Sequence, residues 1–118
     1  MTKLYGIPNC STVKKARSWL SEHGIAYLFV DFKHTPPDAG LVSGWLADIP
    51  ADILINRRGT TWRSLDDAAK AQAETTPAEL LAAHPMLAKR PVLVHGGRAY
   101  CGFAAEHYAE IFGTQEAA

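Results

Sequence analysis

The fold is decided by residues 3–30, which read KLYGIPNCSTVKKARSWLSEHGIAYLFV. Residues 3–7 form a short apolar run that predicts a strand, and a Pro-Asn pair closes it. Residues 11–23 then carry apolar side chains at helical spacing, and Gly24 is the glycine typical of a helix C-terminus. Residues 25–30 are rich in aromatic and β-branched side chains, which indicates a second strand. The stretch therefore predicts a βαβ unit with a right-handed crossover.

The remainder of the chain predicts helices and then a hairpin. Helices are expected from Pro37-Asp38 and over 66–73, 77–83 and 106–112, with a loop at 56–60, additional core at Ile53-Leu54-Ile55 and a fraying tail at 113–118. Gly96-Gly97 separates two strand patterns, residues 91–95 and 98–101, and is a strong hairpin signal. The order βαβ, helical insert, β-hairpin and C-terminal helix is thioredoxin-like. We therefore predict an α/β fold with a mixed four-stranded sheet, in a single domain over residues 1–118.

Composition argues against several classes of protein. The 118 residues include 12 basic side chains, 12 acidic ones and two cysteines, so the formal net charge is zero. A dedicated nucleic-acid binder is usually clearly basic, and two cysteines are too few for a disulfide scaffold or a zinc quartet. The longest apolar run, residues 25–30, is far shorter than the roughly 20 residues that span a bilayer, and residues 1–6 lack the apolar core of a signal peptide. We expect a cytoplasmic monomer without a metal site and without nucleic-acid or membrane partners.

Cys10 lies between the first predicted strand and the first predicted helix. Free N–H groups and the helix dipole at a helix N-terminus favour an anion, so the pKa of a cysteine there can fall below its free value of about 8.5. Lys14 and Lys15 follow one turn later and add positive charge, and Ser11 or Thr12 can cap the helix. We therefore interpret Cys10 as a reactive thiolate. The alternative is a small buried side chain at the end of a strand.

The partner of Cys10 is not the second cysteine of a Cys-x-x-Cys motif, because Val13 occupies that position. Any disulfide that Cys10 forms must therefore join it to a substrate, to glutathione or to Cys101. The strand pattern around Cys101 favours a side chain that fills the core. A bond between the two cysteines would need Cα atoms within about 7 Å of each other, which the sequence does not determine.

Three blocks of the sequence carry a resemblance to a known family. They are YGIPNCSTVKKARSWL at 5–20, LINRRGTTWRSL at 54–65, and KRPVLV at 89–94 with the Gly-Phe pair at 102–103. Together they resemble the arsenate reductase-like (ArsC) family, and most closely its YffB branch. The blocks occur in the family's order and span nearly the whole chain.

The resemblance implies a thioredoxin-like fold with a helical insert, and it assigns the nucleophile to Cys10. It also implies that Arg90 is brought to the thiolate, with Pro91 in the cis form. An arginine there would stabilise the thiolate and bind an oxyanion or a carboxylate through paired N–H donors. The predicted catalytic residues are Cys10, Arg90 and Thr12, and the residues predicted to bind the thiol co-substrate are Asn9, Ser11, Lys14, Asn56 and Pro91.

Departures from the family pattern direct the choice of function. Arsenate reductases of the family bind the anion with three arginines, whereas this chain keeps Arg90 and has Asn56 and Gly102 at the other two positions. Val13 also breaks the Cys-x-x-Cys switch of the related Spx regulators. The resemblance therefore implies a monothiol reductase, with glutathione as co-substrate and no tightly bound cofactor. The alternatives are an arsenate reductase and a non-catalytic, Spx-like protein that binds RNA polymerase.

Overall fold

The computed structural model describes residues 1–113, and its strands form one mixed sheet. The strands are β1 (Lys3–Gly6), β2 (Leu28–Asp31), β3 (Val92–His95) and β4 (Arg98–Cys101), in the order β2-β1-β3-β4. β1 pairs in parallel with β2 and antiparallel with β3, which pairs antiparallel with β4. Parallel neighbours need a crossover, and the helix between β1 and β2 supplies it. The predicted α/β thioredoxin-like fold with a four-stranded mixed sheet is confirmed.

Helices cover both faces of this sheet. They are α1 (Ser11–Glu22), α2 (Ala39–Leu46), α3 (Ala51–Leu54), α4 (Thr60–Arg63), α5 (Asp67–Thr75), α6 (Pro77–Ala83) and α7 (Ala105–Phe112), with a 3-10 turn at Pro85–Leu87. Successive strand residues point to opposite faces. Leu4 and Leu93 therefore pack with residues of α1 and α7, while Tyr5 and Val92 pack with the helical insert of α2 to α6. None of the helices within residues 1–113 is long and apolar enough to cross a membrane.

Several predicted boundaries differ from the structure. β2 begins at Leu28, since the N–H of Ile25 bonds to Leu20 O and completes the end of α1. Ile53 was expected in the core, but its side chain is 49% exposed, because α3 is a single turn that buries only its C-terminal side. The short helix α4 was not predicted, and its first residue lies at the end of the expected loop. Beyond Gly113, the expected fraying of the tail falls outside the described residues.

The packing of α1 on β1 depends on a glycine. A Cβ placed on Gly6 would lie 2.8 Å from Cγ2 of Val13, closer than carbon atoms in van der Waals contact. The last residue of β1 therefore lies so close to the first turn of α1 that any side chain at position 6 would force the two elements apart. This close approach fixes the position of the loop between them, which carries Cys10.

Candidate active site

Cys10 is the residue that caps the N-terminus of α1. Its backbone is extended, with φ −101° and ψ 127°, and its carbonyl accepts the N–H of Lys14 at 2.9 Å. The expectation that Ser11 or Thr12 caps the helix is therefore wrong, because both residues already lie inside the first turn. The half-buried Cys10 thiol thus lies where the free N–H groups of α1 are directed.

Opposing effects set the pKa of the Cys10 thiol. Burial raises it, whereas the backbone N–H of Val13, the guanidinium of Arg90 and the backbone N–H of Thr12 lower it by hydrogen bonding, and the positive charge of Arg90 lowers it further. The net pKa lies below the ordinary value of 9.0. Hydrogen bonds and a positive charge favour the charged form of an acid. Cys10 therefore has the environment of a nucleophilic cysteine.

Arg90 is half-buried and held by its neighbours. Its Nη1 donates to the carbonyl oxygen of Met86 at 2.8 Å, and the Arg90–Pro91 peptide bond is cis, as the resemblance implied. Pro91 itself is fully buried, and its carbonyl oxygen accepts the N–H of Gly102 at 2.9 Å. The buried Nε of Arg90 has no hydrogen-bond partner within residues 1–113. A charged donor that is buried without a partner carries a free-energy cost.

A cavity of about 470 Å³ brings four of the predicted site residues together, namely Cys10, Thr12, Asn56 and Arg90. The exposed residues Asn9 and Ser11 flank Cys10 without lining the cavity, and Pro91 lies buried beside Arg90. Lys14 is not brought to the cavity either, because it lines a separate hollow with Lys15 and Trp19. The cation that lowers the pKa of Cys10, after the opposing effect of burial, is therefore Arg90 and not the lysines of α1.

Sequence reasoning missed other residues of this cavity, among them Lys89, Cys101, Phe103 and His107. Cys101 packs against the main core, as expected of a core-filling side chain, and it also lines the same cavity as Cys10; both are free thiols. Burial raises the pKa of Cys101, and the nearby charge of Lys89 only partly opposes this. A signal for Cys101 was present, since a two-residue turn at Gly96-Gly97 places it opposite Val92, the neighbour of the cis proline.

A second cavity, of about 510 Å³, adjoins the first and shares Asn56 and Lys89 with it. Arg57 and Arg58 also line it. Arg57 pairs with Glu74 at 3.1 Å, and the side chain of Asn56 accepts the backbone N–H of Arg58 at 3.0 Å. Residues 1–113 contain no cluster of three or more His, Cys, Asp or Glu side chains that could hold a metal ion. The arrangement thus combines a thiol of lowered pKa with cationic groups that suit an anionic ligand.

Comparisons with known proteins agree with this geometry. The ArsC family model matches residues 5–111. A solved structure of a YffB protein is 45% identical, with a TM-score of 0.87 over 93% of this chain and 97% of its own. The arsenate reductase of Neisseria meningitidis is 31% identical over 92% of this chain and 96% of its own length. The global transcriptional regulator Spx of Listeria innocua is 28% identical over 87% of this chain and 80% of its own.

Proposed function

The chain belongs to the ArsC family, and on that premise we propose that it is a glutathione-dependent monothiol reductase with Cys10 as its nucleophile. One observation carries the proposal. The thiol with the lowered pKa and the guanidinium of Arg90 line the same cavity, so a thiolate and an anion-binding group face one ligand. A nucleophilic cysteine that acts through a covalent intermediate needs this pairing of an activated thiolate with a positioned substrate.

The reaction proceeds in two exchange steps. The Cys10 thiolate attacks the glutathionyl sulfur of a mixed disulfide, the substrate thiolate leaves with the electron pair of the broken S–S bond, and Cys10 holds the glutathionyl group. The thiolate of a free glutathione then attacks that group, which releases glutathione disulfide and restores the Cys10 thiolate. Arg90 binds a carboxylate of the glutathionyl group, and Thr12 with the backbone N–H groups of the first turn orients the thiolate.

The test is a pair of cysteine variants. Purified protein is mixed with free glutathione and the mixed disulfide of glutathione and 2-mercaptoethanol, and the formation of glutathione disulfide is followed. Cys10→Ser abolishes turnover and the glutathionylated intermediate, because the serine hydroxyl is not a thiolate at neutral pH. Cys101→Ser is the matched control and retains both, because the mechanism gives Cys101 no step. Turnover that persists in Cys10→Ser contradicts the proposal.

Arsenate reduction by the same nucleophile is the second candidate, because a relative named arsenate reductase is 31% identical to this chain. It gains support if the protein reduces arsenate with glutathione and Arg90→Met abolishes that activity. A non-catalytic regulatory role is the third, because regulators named Spx are also relatives. That role predicts co-purification with RNA polymerase from cells and no turnover with either oxidant. Turnover assays on the purified variants, together with co-purification from cells, therefore discriminate the three functions.

A further inference from the structure

Lys89 extends its side chain over Gly102 and so reaches the cavity that holds Cys10. A Cβ placed on Gly102 would lie 3.3 Å from Cε of Lys89 and 3.9 Å from its Nζ. Gly102 is buried and has a φ of +79°, a conformation that residues with a side chain rarely adopt. The missing side chain at position 102 thus leaves the space that the end of the lysine occupies.

The backbone of Lys89 is fixed, so its side chain starts from a defined point. Its N–H donates to the carbonyl oxygen of Leu54 at 2.8 Å, and the preceding Ala88 forms a β-bridge with Ile55. The next residue is Arg90, which lines the same cavity. Two consecutive residues therefore supply two permanent positive charges to one cavity, and no aspartate or glutamate of residues 1–113 lines it.

The charge of Lys89 lies at the cavity, near Cys101. Burial raises the pKa of Cys101 and the charge of Lys89 opposes it, which locates that charge beside the cavity wall. Burial raises the pKa of Cys10, and Val13, Arg90 and Thr12 are the residues that lower it. The positive charge of Lys89 is therefore available to a ligand.

We propose that Lys89 is a substrate-binding residue that selects thiol compounds carrying a negative charge close to the reacting sulfur. This inference rests on the proposed function and specifies its substrate class. Arg90 and Lys89 are consecutive, so the two cations can each engage a different anionic group of one ligand. Lys89 also lines the adjoining cavity with Arg58, which gives a longer ligand room to extend beyond it. Neutral and cationic disulfides gain no favourable binding energy from the charge of Lys89.

The test compares the alkylation of Cys10 by iodoacetate and iodoacetamide, which have the same leaving group and differ in charge. In both reactions the thiolate forms a carbon–sulfur bond and iodide leaves with the electrons of the carbon–iodine bond. Site-resolved mass spectrometry separates Cys10 from Cys101. The variants are Lys89→Met, which keeps an unbranched side chain as far as Cε and removes the charged amine, and Lys89→Arg, which restores a charge. Lys33→Met is the control, because the exposed Lys33 lines a different cavity and its loss changes the net charge equally.

Lys89→Met is expected to slow the alkylation of Cys10 by iodoacetate roughly three-fold, the effect of a charge pair about 6 Å apart in a water-like medium. Lys89→Met leaves the rate of alkylation by iodoacetamide unchanged. Lys89→Arg recovers most of the lost rate with iodoacetate, and Lys33→Met reacts with both reagents at the rates of the unaltered protein. Equal slowing of both reagents overturns the inference, since Lys89 would then set the thiolate population of Cys10. No slowing of either reagent by Lys89→Met also overturns it. If Cys10 reacts with neither reagent in any variant, the proposed function itself is overturned. Iodoacetamide reports this separately, because its reaction with Cys10 does not depend on a charge on the reagent.

Discussion

The close approach of Gly6 to Val13 gives a prediction with a calculable magnitude. Gly6→Ala places a Cβ 2.8 Å from one methyl carbon of Val13 and 3.5 Å from the other. Both residues are buried, with Val13 fully so, and the extended backbone at position 6 would itself tolerate alanine. Overpacking of this kind costs about 1–3 kcal/mol. We expect Gly6→Ala to lower the free energy of unfolding by that amount.

A double-mutant cycle separates this contact from other effects. Val13→Ala alone costs about 1–3 kcal/mol, because two buried methyl groups are lost and a cavity remains. In the Val13→Ala background the new Cβ at position 6 fills vacated space, so Gly6→Ala becomes neutral or stabilises by up to about 1 kcal/mol. The two changes therefore compensate for each other, with a coupling energy of at least about 1 kcal/mol.

Urea unfolding followed by tryptophan fluorescence measures the four members of this cycle. Gly44→Ala is the matched control, because nothing lies within 4 Å of a Cβ at that helical position, and it stabilises by up to about 1 kcal/mol. Simple additivity of Gly6→Ala and Val13→Ala would refute the close approach. The position of the Cys10 loop would then require a cause other than the packing of Gly6 against Val13.

Two further predictions concern the thiols and a buried hydroxyl. Burial raises the pKa of both cysteines, but only for Cys10 do hydrogen bonds from Val13, Arg90 and Thr12 bring the net value below 9.0. Since the thiolate reacts, a pH series of iodoacetamide labelling should modify Cys10 at lower pH than Cys101, and the reverse order would contradict the site. Tyr108→Phe should raise the free energy of unfolding by about 1–3 kcal/mol, because the buried Tyr108 hydroxyl has no partner within residues 1–113. A destabilised variant in urea unfolding would mean that the hydroxyl is satisfied.

Elements with a strong local signal could be predicted from the sequence. Helix α6 has the predicted bounds, because Pro77 suits the first turn of a helix. The hairpin forms as predicted, because Gly96 and Gly97 both adopt the positive φ that its turn requires. The start of β2 could not be predicted, because the N–H of Ile25 completes the end of α1 and the N–H of Leu28 bonds to the carbonyl of the distant Thr2. The exposure of Ile53 could not be predicted either, because it depends on which side of a short turn meets the core.

The sequence by itself determined that Cys10 stands at the N-terminus of a helix and that a proline follows Arg90. The family resemblance implied that Arg90 faces the thiol, but the sequence did not determine that Lys14 and Lys15 lie away from the cavity or that Lys89 lines it. The apolar residues Val13, Ala16 and Leu20 bury one face of α1, so Lys14 and Lys15 lie on its exposed side although they are close in sequence. Arg90 and Lys89 reach the cavity from the far end of the chain, because the antiparallel pairing of β3 with β1 brings the start of β3 beside the loop that carries Cys10. Only the tertiary structure decides such a pairing, since the energy that selects it comes from burial of the whole sheet and not from the residues of the site.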